Sequence, residues 1–249
     1  MKIKAVIFDL DGVIFDSWPL TIEMARKITE ELGREFNEDL LTETWGFTPH
    51  DWTKILFPGE PAEEVVRRWV EKELNLRIPL CHGAKYVLWW LKLWGFKTGI
   101  ITNRRAGKLL CKVFDDNRWD VRENFDFIQT IRARPPFFGV YDNRRIHPNH
   151  FISSVTKPHP VSFFWIERFL KRQGIRKENI LFIGDTIGAD LELARRIGIE
   201  FLGVMTGPIK SKEKWRDRGG LDGKNVLKSV IELPRWLSRR QMDELAGKV

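Results

Sequence analysis

The sequence predicts an α/β fold: a doubly wound parallel sheet with an inserted helical cap. Three observations carry this. Short, largely apolar strand-like runs recur at 5–8, 98–101, 125–130, 180–183 and 201–205. Amphipathic stretches of helical period separate them, at about 85–94, 108–114, 161–173 and 190–197. Strands apolar on both faces, alternating with helices, belong to a parallel sheet covered on both sides. Between residues 18 and 80 the alternation stops, and only helical patterns remain. In such folds a ligand sits beyond the carboxyl ends of the strands, at a switch point.

Length and composition agree with that architecture. A chain of 249 residues suits one large domain, or a core with a smaller inserted one. Hydrophobic residues at 43% give enough material for a core and exclude a disordered chain. The net charge of +8 suits nucleic acid, a membrane surface or small anionic substrates. Basic and acidic residues are interleaved along most of the chain, which weakens the nucleic-acid reading. Cys81 and Cys111 lack metal-ligand spacing and fit a reducing compartment better than a disulfide framework. The opening MKIKAVIFDLDG has its apolar run cut by Asp9 and Asp11, so it is no signal peptide. No apolar stretch approaches the ~20 residues of a membrane span. The expectation is a soluble, cytoplasmic protein with no membrane partner.

The first strand, AVIF, ends in DLDG. Asp9 and Asp11 are two apart, so an extended chain places both on one side. Gly12 permits a tight exit from the strand. One such carboxylate can attack phosphorus while its neighbour gives and takes the proton. The helical block follows. Ser17 is a candidate cap for a helix with Pro19 near its start and Gly33 at its end. Thr48-Pro49 marks a second start and Pro61 a third. Trp45, Thr48, His50 and Trp52 are candidate specificity positions there. The next helical pattern carries Trp89, Trp90 and Trp94 at spacings that predict core packing. GIITNRR ends the second strand with Thr102 and Asn103, where a hydroxyl and backbone N–H groups can hold phosphate oxygens.

Residues 134–155 break the pattern, because αβ connections usually run ~2–6 residues. This stretch reads as an insertion, either a flap presenting Arg144, Arg145 and His147 to substrate or an excursion packing Phe137 and Phe138 on the core. TKPHP then places Lys157 just before a helix, where an ammonium can neutralise clustered carboxylates and a phosphoryl group. Finally, LFIGDTIGADLELARRIGI puts Asp185 at a strand end and Asp190 at a helix start. Asp190 there is also favourable as a plain helix-dipole partner. Acidic residues gathered beside Asp9 need a cation, and oxygen ligands with an anionic substrate favour Mg²⁺.

The order of these motifs, each at a strand end or helix start, resembles the haloacid dehalogenase superfamily. The nearest resemblance is to its phosphatase branch with a helical cap, phosphoglycolate phosphatase-like enzymes. The resemblance implies a Rossmann-like core over 1–16 and 82–249, with the insertion at about 134–155, and a helical cap over 17–81. It implies Asp9 as nucleophile and Asp11 as acid/base. Thr102, Asn103 and Lys157 would bind the phosphoryl group. Asp9, the Asp11 carbonyl, Asp185 and Asp190 would hold Mg²⁺. Dehalogenases and phosphonatases of this superfamily lack the second aspartate, so Asp11 favours phosphoester chemistry. The implied function is hydrolysis of a small phosphate monoester through a phosphoaspartate. The alternatives are a phosphomutase acting on a sugar phosphate and a nucleic-acid end-processing phosphatase. The stretch 134–155 departs from the shorter link usual in the family.

Overall fold

Seven strands form one parallel sheet in the order β4-β3-β2-β1-β5-β6-β7. They are β1 Ala5–Phe8, β2 Lys97–Arg105, β3 Phe127–Ile131, β4 His150–Ser153, β5 Ile180–Gly184, β6 Glu200–Val204 and β7 Val226–Leu227. The computed structural model describes residues 3–105, 107–132, 147–245 and 247. β1 lies at the centre, paired with β2 on one side and β5 on the other. The chain winds outward from β1 through β2, β3 and β4, then crosses back to begin the other half at β5. The switch point therefore falls at the carboxyl ends of β1 and β5.

Alternation along β1 fixes the two layers. Val6 and Phe8 enter one apolar cluster, with Leu88, Leu91, Leu110 and Val113 of α5 (Ala84–Leu93) and α6 (Lys108–Asp116). Ala5 and Ile7 enter the other, with Ile166 and Leu170 of α8 (Phe164–Lys171) and Leu193 of α9 (Glu192–Ile197). β1 has all four residues buried, as its unbroken apolar run requires. The short α7 (Val121–Asn124), α10 (Lys212–Gly219) and α11 (Leu233–Leu245) complete the layers.

Between β1 and α5 run four helices without a strand: α1 Trp18–Glu31, α2 Glu38–Thr44, α3 Pro49–Leu56 and α4 Ala62–Leu74. They build apolar clusters of their own, one around Trp18, Ala25 and Leu41, another around Ile28, Phe57 and Val65. Thr48 caps α3, its hydroxyl accepting from Asp51 N–H at 3.2 Å, and Pro61 stands at the start of α4. Ser17 precedes α1 but makes no capping hydrogen bond with its side chain, contrary to the sequence expectation; its backbone is already helical (φ −85°, ψ −20°), so its hydroxyl does not face the free amides.

Two further expectations change. Trp89 and Trp94 are exposed, because α5 buries Ala84, Val87, Leu88 and Leu91 and carries these indoles on its other side. Helical period gathered the right residues but could not say which of two apolar faces meets the sheet. β4 and β7 were not foreseen. HFIS and VL are too short to stand out as strands, and parallel neighbours define them, β4 pairing with β3 from Ile128↔His150 to Ile131↔Ser153. The end of the 134–155 stretch is thus an edge strand. Of the flap expected over 134–155, the part with Arg144 and Arg145 lies outside the described residues, while His147 does not face a substrate: it is buried, its Nε2 2.9 Å from the Phe125 carbonyl.

Candidate active site

Asp9 follows β1 directly, its N–H donating to the Ile183 carbonyl of β5 at 2.8 Å. Asp185 follows β5. Parallel register between these central strands therefore sets two carboxylates side by side at the switch point. Lys157 comes from the segment after β4, and its Nζ donates to Asp9 Oδ1 at 2.7 Å and Asp190 Oδ1 at 2.6 Å. Lys157 is 4% exposed and Asp190 0%, so this is a desolvated network and not a surface pair.

A wide helical turn over Ile187–Leu191 holds Asp190, with Leu191 N–H reaching back five residues to the Thr186 carbonyl at 3.1 Å. Asp190 Oδ2 accepts from Asp185 N–H, Thr186 N–H and the Thr186 hydroxyl, the last at 2.7 Å. Both Asp190 oxygens thus have hydrogen-bond partners. Asp185 differs: its Oδ2 accepts from Trp45 Nε1 at 3.0 Å, while its Oδ1 is buried without a hydrogen-bond partner. Gly12 makes room for it. Its φ is +73°, and a Cβ there would stand 2.0 Å from Asp185 Oδ2.

Electrostatics mark the centre as short of positive charge. Burial pushes Asp9 up to about 7, with Asp190 and Asp11 adding to the shift against Lys157. Burial, then Asp9 and Asp190, raise Asp185 well above the ordinary range. Lys157 is held charged by its two carboxylates despite its burial. Asp9, Asp185 and Asp190 each offer an oxygen, all within 4.8 Å of one another. Together with the partnerless Asp185 Oδ1, this all-oxygen set fits a small hard divalent cation such as Mg²⁺.

Asp11 is turned to a different partner. Arg104 grips it with two hydrogen bonds, Nε to Oδ2 at 3.0 Å and Nη2 to Oδ1 at 2.7 Å. The same guanidinium donates through Nη1 to Glu73 of α4. Burial alone would raise Asp11, but the Arg104 charge and hydrogen bonds prevail and hold it below the usual carboxylate value. Thr102 is buried within β2, which runs on to Arg105 past the Thr-Asn pair expected to end it, and its Oγ1 accepts from Arg104 N–H at 3.0 Å. Asn103 is a bracket. Its Oδ1 accepts from Lys157 N–H at 2.8 Å, and its Nδ2 donates to the Lys157 and Gly46 carbonyls.

The structure thus brings Asp9, Lys157, Asp185 and Asp190 into one network, with Asp11 and Thr102 linked beside it through Arg104. Arg104 and Glu73 were missed by sequence reasoning. An arginine directly after the Thr-Asn pair was the available signal; Glu73, inside an ordinary charged helix, gave none. Of the candidate specificity positions, Trp45 reaches the network. Thr48 is committed to its cap, and Trp52 packs on Trp69 with ring centroids 4.6 Å apart.

Residues 6–133 match the family model of haloacid dehalogenase-like hydrolases, and residues 154–233 a second hydrolase-like model of the same group. A phosphorylated carbohydrates phosphatase of Thermotoga maritima is 39% identical over 130 residues, 49% of this chain and 59% of that relative. This chain therefore spans only part of that relative's length. A glyceraldehyde 3-phosphate phosphatase of Methanocaldococcus jannaschii is 25% identical over 230 residues, covering 85% and 89% of the two chains. Among solved structures, a haloacid dehalogenase-like hydrolase from Bacteroides fragilis superposes with a TM-score of 0.64 at 20% identity, covering 87% of this chain and 93% of that one.

Proposed function

Because the chain belongs to the haloacid dehalogenase-like hydrolases, we propose that it is a Mg²⁺-dependent phosphatase acting on a small phosphate monoester of the sugar-phosphate kind. The observation that carries this is the buried network at the switch point, with Lys157 bridging Asp9 and Asp190 and Asp185 alongside. The two curated relatives, both named as phosphatases of phosphorylated carbohydrates or a triose phosphate, support the substrate class.

In this reading Asp9 attacks phosphorus and becomes a phosphoaspartate, which water then hydrolyses. Lys157 and the Thr102 hydroxyl receive the phosphoryl oxygens, and Asn103 serves by fixing the Lys157 backbone. Asp9, Asp185, Asp190 and the Asp11 carbonyl hold the cation, which when bound neutralises charge on the phosphoryl group. Asp11 protonates the leaving oxygen and later takes a proton from water. Held ionised with both oxygens on Arg104, it acts as the acid only after the guanidinium releases one oxygen and that oxygen takes up a proton.

The free thiol of Cys81 supports a cytoplasmic setting, and among the described residues no helix is long and apolar enough to cross a membrane. Basic side chains interleaved with acids, as where Arg67 meets Glu64 and Glu71, support a small substrate over nucleic acid. The test is a screen of phosphorylated metabolites with Mg²⁺, reading free phosphate. Release from sugar or triose phosphates, abolished by chelation, is expected. Full activity after exhaustive chelation, or transfer of the phosphoryl group to sugar in place of water, would contradict the proposal.

A further inference from the structure

The end of α2 carries a short turn, residues 44–47, that lies against the loop bearing Asp185 and Asp190. Four contacts define it. Trp45 Nε1 donates to Asp185 Oδ2 at 3.0 Å. The next carbonyl, Gly46, accepts from Asn103 Nδ2 at 2.7 Å. A Cβ on Gly46 would meet the Ala189 Cβ at 3.1 Å, and Phe47 lies 3.9 Å from where a Cβ on Gly188 would stand. The turn is reached through a left-handed Gly46, φ +89°. The Trp45 ring is itself fixed, edge-on to Trp18 with centroids 5.1 Å apart.

This geometry leaves Asp185 with one oxygen spoken for and the other buried and bare. A carboxylate that can rotate presents either oxygen. A carboxylate whose Oδ2 is held by an indole N–H presents Oδ1. Groups that hydrogen-bond a metal-ligating carboxylate fix its orientation, and their removal typically costs about 10–100-fold in metal affinity. Here the holding group belongs to the helical block, 140 residues away in sequence from the carboxylate it holds.

We propose that Trp45 is a positioning residue for the cation site: by seating on Asp185 it presents Oδ1 to the metal, so that docking of the 44–47 turn and binding of a divalent cation favour each other. The inference rests on the reading of Asp185 as a cation ligand. Linkage makes the effect reciprocal. The cation holds the turn down, and the docked turn raises affinity for the cation. The α2 end of the helical block thereby senses the charge state of the core loop, through one hydrogen bond and a glycine fit.

The test uses the full chain and Mg²⁺ itself. Titration calorimetry measures Mg²⁺ affinity in the wild type, in Trp45→Phe, which keeps a ring but loses the donor, and in Gly46→Ala, which keeps the donor but obstructs the seat. Trp89→Phe, on the exposed side of α5, serves as control. Both test variants are expected to bind Mg²⁺ about 10-fold more weakly, and the control is expected to match wild type. Trp45→Phe should regain near wild-type kcat at saturating Mg²⁺, with only the half-saturating Mg²⁺ concentration raised. A merely structural tryptophan would instead lower kcat and melting temperature at every Mg²⁺ concentration. Wild-type affinity in either test variant overturns the inference while leaving the proposed function standing. Absence of Mg²⁺ binding by the wild type overturns both.

Discussion

The carboxyl edge of the sheet and the underside of the helical block meet at one site, yet their polar groups are placed by different means. Asp9 and Asp185 project from adjacent central strands whose register, Phe8 against Ile183, is fixed by a fully apolar interior. Their positions follow from the fold with little freedom. Trp45 and Glu73 come from a separately packed set of helices and reach the same site through a few hydrogen bonds. A sheet edge concentrates chemistry by topology. The block over it adjusts that chemistry by contacts that a modest shift of its helices would break.

Mutation should separate the two regions by magnitude. Asp9→Asn, on the core side, should lower kcat by at least about 10⁴-fold, the scale seen when a nucleophile is removed, while the melting temperature of the metal-free protein does not fall. Steady-state phosphate release and a thermal melt check both halves. Near wild-type turnover by folded variant would break the comparison at its base.

Arg104 sits at the junction, and its removal should act first on stability. Arg104→Ala leaves Asp11 and Glu73 without their cation, their side chains only 18% and 9% exposed. Losing one partner of a buried ionic group costs about 3–5 kcal/mol, measurable by urea denaturation. Adding Glu73→Gln should recover part of that loss, because the second charge no longer needs an answer. No recovery would mean that α4 is not coupled to Asp11 through the guanidinium.

A smaller effect concerns pH. Asp9, pushed up to about 7, and Asp185, raised well above the ordinary range, both gain stability from being protonated in the metal-free protein. That stability is full below the unfolded carboxylate value and is lost as pH rises through the folded one. The melting temperature of chelator-treated protein should therefore fall by a few degrees as pH climbs from mildly acidic to mildly basic, and Mg²⁺ should flatten the slope. An equal slope with and without Mg²⁺ would show that the cluster does not hold the cation.

What the sequence revealed follows the same division. β1 and β5 were legible almost to the residue, because strands buried on both faces must be apolar throughout. Asp9, Asp11 and Lys157 stood out as candidates because each follows a strand or precedes a helix, where polar residues interrupt an otherwise apolar plan; Thr102 stood out for the same reason, though β2 runs on past it to Arg105. β4 was hidden: HFIS becomes a strand only because β3 offers it an edge, with His150 bonding Thr130 at 2.9 Å. Glu73 and the hydrogen bond of Trp45 were hidden for a related reason. Both depend on how separate elements pack, and no local period or spacing encodes that. The exposure of Trp89 and Trp94 is the converse case, in which a clear local pattern left open which face the sheet would choose.

The account turns on Asp9 taking the phosphoryl group before water does. The most direct measurement is the stereochemical course at phosphorus, followed with a phosphorothioate substrate made chiral there by sulfur and one heavy oxygen isotope and hydrolysed in water carrying a third isotope. Two in-line displacements, one by Asp9 and one by water, predict retention of configuration in the product. Inversion would show a single direct attack by water, and would contradict the role given to Asp9.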